Sequence, residues 1–291
     1  MRALYELPAP AKVNLFLHIV GRRADGYHLL QSAFVLIDWA DVLHLERRDD
    51  GRFRRQALGP ALPSDDLCLR AARALQQASG TPLGADIHLD KRVPWGAGLG
   101  GGSSDAATTL LGLNRLWGLH WSRQRLLELA LRLGADVPFF VGGRNAFVEG
   151  IGERITPIEL PRAWLAVVKP EASLGTAEIF GAEDLERNTP AVILADFLAG
   201  TQLSDSAGPG FGRNDLQPVA VSRCADVAKA AKWLDSRYGN SRMSGSGSAV
   251  FARAGTGDRP RATWAAEELP PHWVGRMCRS LASHPLRDWA D

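Results

Sequence analysis

Five of the seven residues from Gly96 to Gly102 are glycine, and Ser103, Ser104 and Asp105 follow directly. A helix opens with unpaired backbone N–H groups and the positive end of its dipole. A glycine-rich lead-in lets phosphate oxygens reach those groups, because no Cβ blocks the approach. The three polar residues read as N-caps, and Ala107, Leu110, Leu111, Leu113, Asn114 and Trp117 behind them follow helical spacing. The string therefore predicts a nucleotide-phosphate site. It matches G-x-G-x-x-G, but a dinucleotide fold needs an acidic strand end about 20 residues on, where this chain reads Gly118-Leu119-His120-Trp121. Ser103 stands where a Walker loop needs lysine. A flexible linker is the other reading, but such linkers seldom sit between a strand and a capped helix.

Phosphoryl transfer asks a protein for positioning and charge rather than covalent work. A carboxylate must orient and accept the proton of the attacking hydroxyl, and a cation must offset charge on the transferring group. Lys12 and Asp136 are the candidates. Lys12 lies on the polar side of an otherwise apolar run; its alternative is a charge snorkelling at a strand edge. Asp136 falls between a helix-ending Gly134 and Pro138, a stiff stretch that suits a catalytic carboxylate. Its alternative is a turn-former whose side chain satisfies its own backbone. Spacing along the chain does not bring the two together.

The elements that must position these groups follow from periodicity. Lys12, Asn14, Phe16 and His18 alternate with Val13, Leu15, Leu17 and Ile19, which predicts a strand with one apolar face. Asp25-Gly26 is a turn, and strands are expected over 27–39 and 42–46. A helix over 67–78 precedes a strand over 85–93 that runs into the glycine string. Ser122 caps a further helix reaching Leu133, and strand-like alternation returns over 146–158. A new strand begins near Pro161, where the boundary between two domains is placed. Helices are predicted at 176–186, 190–199 and 218–237, with a terminal basic strand. Ser244 to Ser248 (SGSGS) reads as a loop, or as a backbone wall beside a phosphate.

Composition narrows the function class. A chain of 291 residues with 45% apolar content supports two packed domains rather than disorder. The formal charge of +2 does not argue for nucleic acid, and the doublets Arg22-Arg23, Arg47-Arg48 and Arg54-Arg55 read as solvated surface. Lysine is scarce, with Lys12, Lys91, Lys169, Lys229 and Lys232 among 34 basic residues, so each lysine can be audited. Cys68, Cys224 and Cys278 are too dispersed for zinc and suit a reducing cytoplasm. No apolar stretch has the length of a signal peptide core or a membrane span. The expected partner is a small molecule, with no nucleic acid and no membrane.

These motifs together resemble the GHMP kinase superfamily. PAKVNLFLHIVGRRADGYHLLQS is similar to its first motif, PWGAGLGGGSSDAA to its second, GADVPFF to its catalytic-aspartate segment and SGSGSAVFA to its third. VKPEASLGTAEIF, RNTP, NDLQPVA and SHPL resemble weaker signatures, so the likeness runs from about Pro10 to Leu286. The Gly-Tyr-His and GLGGGSSDAA strings resemble the branch that phosphorylates a cytidine-diphosphate-linked methylerythritol.

The resemblance implies an α+β chain. A ribosomal-protein-S5-domain-2-like N-terminal domain would span 1–160 and a ferredoxin-like C-terminal domain 161–291, with the acceptor in the cleft between them. It implies that Lys12 and Asp136 are catalytic. Pro94, Trp95, Gly96, Ala97, Gly98, Leu99, Gly100, Gly101, Gly102, Ser103 and Ser104 would wrap the ATP phosphates, and Asp66 and Leu67 would meet the adenine. Asn14 would contact the acceptor near its reacting hydroxyl. Tyr27 and Phe180 would enclose the cytosine, His28 would bond its edge and Thr176 would line that pocket. ATP is the implied donor, with Mg2+ accompanying it and no protein metal ligand marked by sequence. A monomer or homodimer is expected. Two features depart from the family pattern: Asp66 stands where Asn is common, and Trp95 where Met is common. The competing readings are a GHMP kinase for mevalonate-like or amino-alcohol acceptors, and a non-catalytic metabolite sensor.

Overall fold

The chain opens with a long antiparallel hairpin, β1 (Ala3–Arg22) and β2 (His28–Arg48). The computed structural model describes residues 1–202 and 212–291. The two strands expected over 27–39 and 42–46 are one continuous β2, because Asp41 is fully buried and stays in the ladder. β1 differs from the one-faced strand that its alternation suggests: Lys12, Asn14, Phe16 and His18 are buried, as Val13 and Ile19 are. Other elements cover both faces, so a period of two here separates two cores rather than core from solvent.

β3 (Phe53–Leu58), α1 (Leu67–Ser79) and β4 (Gly84–Asp90) follow, then α2 (Gly101–Leu116), α3 (Arg123–Ala130) and α4 (Val137–Gly142). β5 (Ala146–Gly150) and β6 (Arg154–Pro157) complete the first sheet, in the order β3-β4-β2-β5-β6 with β1 also paired to β2. α2 is the centre of the main core. Its Ala106, Ala107, Leu110, Leu111 and Leu113 are wholly buried with Leu75 of α1, Leu43 and Leu45 of β2, and Phe139 and Phe140 of α4. Small residues make this possible: a Cβ on Gly112 would lie 2.5 Å from Leu45 Cδ1.

β7 (Trp164–Lys169) starts a second sheet. α5 (Thr176–Phe180), α6 (Leu194–Gln202), α7 (Gln217–Arg223) and α8 (Ala225–Tyr238) come next, then β8 (Arg242–Met243), β9 (Val250–Gly255) and β10 (Val274–Arg279). This sheet is antiparallel throughout, in the order β10-β7-β9-β8. That is the fourth-first-third-second order of a ferredoxin-like unit, with its second crossover reduced to a 3-10 turn at Ala266–Glu268. The helix predicted over 218–237 is two helices, because Cys224 is extended (φ −137°, ψ 101°) between α7 and α8. The helix predicted over 176–186 stops at Phe180.

The last residues leave the second sheet. Leu286 and Ala290 join the first core, and the Arg123 guanidinium donates to the carbonyls of Val141, Arg287 and Ala290. A unit spanning 161–291 therefore gives up its C-terminal turn to the other half of the molecule. No helix among the described residues is long and apolar enough to cross a membrane.

Candidate active site

The glycine string leads directly into α2, but its caps differ from expectation. The N-cap is Gly100 at φ +71°, and Ser103, Ser104 and Asp105 lie inside the helix, Asp105 beyond its first turn. No side chain caps this end, so its opening amides are not taken by a serine hydroxyl. The glycines are required by close approach as well as by conformation. A Cβ on Gly98 would meet Ser244 O at 2.1 Å, and one on Gly100 would meet Phe140 Cζ at 2.9 Å and Lys12 Cε at 3.2 Å.

β1 is tied to that loop. The Lys12 N–H donates to Leu99 O at 2.9 Å, and the β1–β2 ladder shifts register on either side of Lys12. Pro10 cannot donate to a ladder, and register shifts re-aim side chains. The Lys12 ammonium is buried. It lies 2.6 Å from Asn14 Oδ1, 3.5 Å from Asp136 Oδ2 and 4.5 Å from the centroid of Phe34. Burial lowers its pKa, and Asp136 opposes that shift. Asp136 precedes α4, and its carboxylate makes no capping bond. The self-satisfied turn-former is therefore not what forms; the carboxylate faces Lys12 instead.

A cavity of about 350 Å3 is lined by Lys12, Asn14, Phe34, Asp136, Gly96, Gly98 and Gly100, together with Thr176, Phe180 and Gly245 to Gly247. The SGSGS segment reaches it because Ser244 Oγ donates to Gly98 O at 2.9 Å and the Ala249 N–H donates to Ala97 O at 3.1 Å. Asn14 is fixed from behind, its Nδ2 donating to Ser32 Oγ at 2.9 Å. The Thr176 and Ser246 hydroxyls are 2.8 Å apart.

A second recess of about 530 Å3 adjoins the first through Leu30, Ile151 and Phe180. It contains Tyr27, His28, Arg22 and Arg187. Tyr27 is 62% exposed, and the His28 and Phe180 rings lie 5.4 Å apart. Burial, with the positive charges of Arg187 and Arg22, lowers the His28 pKa. Arg22, which the sequence suggests is solvated surface, thus borders a pocket.

A third recess of about 190 Å3 is lined by Asp66, Leu67, Trp95, Gly102, Lys91 and Asp105. Asp66 does not present a free edge to it. One carboxylate oxygen caps α1 by accepting from the Leu69 N–H at 3.1 Å. The other is in ion contact with Arg55 at 2.7 Å, although the N–H is not aligned as a hydrogen bond. Sequence reasoning also missed the polar cluster beneath the glycine loop. Lys91 lies between Asp105, 2.8 Å away, and Asp41, whose other oxygen accepts from the N–H groups of Arg92 and Val93. Burial raises the Asp105 pKa well above the usual carboxylate range. Burial also pulls Lys91 down, but the two carboxylates outweigh it and its pKa is raised. The cluster braces the segment entering the loop. The scarcity of lysine was the one available signal.

The comparisons with known proteins identify the family. Residues 66–144 match the GHMP kinases N terminal domain and residues 199–267 the GHMP kinases C terminal model. A protein of Methylibium petroleiphilum named 4-diphosphocytidyl-2-C-methyl-D-erythritol kinase is 65% identical, covering 100% of this chain and 99% of its own. One of the same name from Variovorax paradoxus is 54% identical, covering 100% of both chains. The crystal structure of a 4-(cytidine 5'-diphospho)-2C-methyl-D-erythritol kinase superposes with TM-score 0.77 at 33% identity, over 94% of this chain and 99% of that one. A homoserine kinase from Cytophaga hutchinsonii, at 18% identity and TM-score 0.69 over 98% of this chain and 96% of its own, shares the fold. With full-length relatives at this identity, the chain belongs to the 4-diphosphocytidyl-2-C-methyl-D-erythritol kinase family of the GHMP kinases.

Proposed function

We propose that this protein transfers the γ-phosphoryl group of ATP to the 2-hydroxyl of 4-diphosphocytidyl-2-C-methyl-D-erythritol, in the non-mevalonate route to isoprenoid precursors. The observation that carries the reading is the cavity in which Lys12 and Asp136 meet the glycine loop. Asp136 takes the hydroxyl proton as the acceptor oxygen bonds to the γ-phosphorus, the bond to the bridging β–γ oxygen breaks and ADP leaves. Lys12 holds Asp136 in place and offsets charge on the transferring group. Asn14 holds the Lys12 ammonium and borders the acceptor. The loop from Pro94 to Ser104 receives the phosphates. The base sits in the third recess against Leu67 and Trp95, with Asp66 shaping it as a helix cap. The acceptor's cytosine lies between Tyr27 and Phe180 beside His28, with Thr176 lining the adjoining first cavity.

Magnesium fits as an ion carried by the nucleotide. Mg2+ is typically held by substrate phosphates with one or two protein oxygens. Among the described residues no group of three His, Cys, Asp or Glu could hold a metal. Among the described residues, the Ser104 hydroxyl, buried in the first turn of α2 without a hydrogen-bond partner, is one oxygen that could serve such a role. When bound, the ion neutralises charge on the phosphate oxygens. The test is ADP release measured with cytidine- and uridine-diphosphate-linked acceptors. Release that requires the cytidine compound is expected; ADP formation indifferent to the acceptor would refute the assignment.

A further inference from the structure

The second recess holds a hydrogen-bonding arrangement that its aromatic lining does not explain. Arg187 lies beyond α5, and four of its five N–H donors are engaged. Its terminal nitrogens donate to the carbonyls of Leu185 at 3.0 Å, Glu183 at 3.3 Å and Ala182. The Nε–H donates to His28 Nε2 at 3.2 Å. A guanidinium has donors only and does not lose its proton in proteins. The ring nitrogen it meets must therefore be the unprotonated one, and a neutral imidazole then carries its hydrogen on Nδ1. Arg22 and Asp25 from the preceding turn line the same recess. Arg22 is tied to its own turn by a bond from Nε to Gly26 O at 3.1 Å. It does not compete for the imidazole.

A fixed donor set opposite the N3 position of a base discriminates between pyrimidines. Cytosine offers acceptors at N3 and O2, whereas uracil carries a hydrogen on N3. A histidine free to exchange tautomers could face either base, by donating to one or accepting from the other. Set opposite N3, a histidine held as a donor meets an acceptor in cytosine and a second hydrogen in uracil. We propose that Arg187 is a specificity-determining residue that selects a cytosine-type over a uracil-type acceptor by holding His28 in the Nδ1–H tautomer. It is a positioning residue, acting through His28. The inference rests on the reading of the acceptor given above.

Two variants and two measurements test it. Arg187→Met removes the donor. Arg187→Gln retains an amide for the backbone carbonyls but can accept as well as donate, which guards against a variant that fails to fold. In the unliganded wild-type protein, nitrogen-15 shifts of His28 should report hydrogen on Nδ1 alone; both variants should show a tautomer mixture. In kinetics, the cytidine-to-uridine ratio of kcat/KM should fall by about 10–100-fold in both variants. The loss should be carried by KM for the acceptor, with KM for ATP unmoved. A wild-type ring protonated on Nε2 would overturn the proposal, as would variants that keep both the Nδ1–H signal and the wild-type ratio. A wild-type enzyme inactive on the cytidine acceptor would instead overturn the acceptor reading, and the tautomer measurement would still decide whether Arg187 fixes His28.

Discussion

Replacing Asp136 by Asn keeps the shape of the side chain and removes its charge and its capacity to take a proton. The Asp136 carboxylate caps nothing, so α4 should form unchanged and the variant should fold. Loss of a positioned general base costs about 10²–10⁴ in rate, or roughly 3–5.5 kcal/mol of barrier. A second loss falls on Lys12. At 3.5 Å the attraction is roughly 5 kcal/mol for an effective dielectric of about 20, before screening. The Asp136 side chain is 32% exposed, so water reduces this to on the order of 1–3 kcal/mol. Asp136 is also the influence that raises the Lys12 pKa against burial. Without it the ammonium loses its proton at lower pH, and whatever activity remains should fade earlier as pH rises. The assay is ADP release across pH, paired with ATP titration. Expected are a kcat lower by about 10²–10⁴, an alkaline limb displaced downward and ATP affinity within about threefold of wild type. Turnover within tenfold of wild type, or an unmoved alkaline limb, would refute the role given to the pair.

Tyr27→Ala should raise KM for the acceptor by about 5–150-fold, the range for losing about 1–3 kcal/mol of base stacking, and leave KM for ATP alone. Separate titrations showing the reverse would overturn the cytosine assignment. Gly98→Ala should abolish ATP binding and lower Tm, because its Cβ would lie 2.1 Å from Ser244 O. Gly80→Ala, with a similar positive φ but nothing within 4 Å, supplies the control for backbone strain alone; equal losses in the two would remove the argument from close approach. His284 is held neutral, its pKa pushed down to about 3 by burial and by Arg123. Unfolded histidine titrates near 6.5, so between those values the unfolded chain binds a proton that the native state does not. This contribution to stability is intact above about pH 6.5 and declines as pH falls toward 3, by roughly 1.4 kcal/mol per pH unit. His284→Asn, whose amide oxygen can accept from the Leu286 N–H as Nδ1 does, should flatten the fall in Tm between pH 7 and 5. An unchanged slope would place the acid sensitivity elsewhere.

Much of the site was legible from local pattern. The glycine run announces a close approach to backbone because conformational freedom at a residue is a property of that residue. Lys12 and Asp136 could be nominated from residue type, whereas Tyr27, His28 and Phe180 entered only through the resemblance to the family. The places where sequence reading fell short share one cause. β2 runs unbroken through Asp41 because Lys91 and the Arg92 and Val93 amides, far along the chain, satisfy a carboxylate that would otherwise mark a strand end. Asp66 is a helix cap beside Arg55 rather than an open edge for a base.

By itself the amino-acid order determined where helices and strands could begin, which residues were able to bind phosphate or move a proton, and which family the chain resembles. Only the tertiary structure decided that an ammonium on β1 meets a carboxylate before α4 at 3.5 Å, and that an arginine beyond α5 dictates the protonation of a histidine on β2. The physical reason is that propensity and periodicity act over a few residues, whereas the charge state of a buried group depends on whichever distant backbone and side chains the fold packs against it.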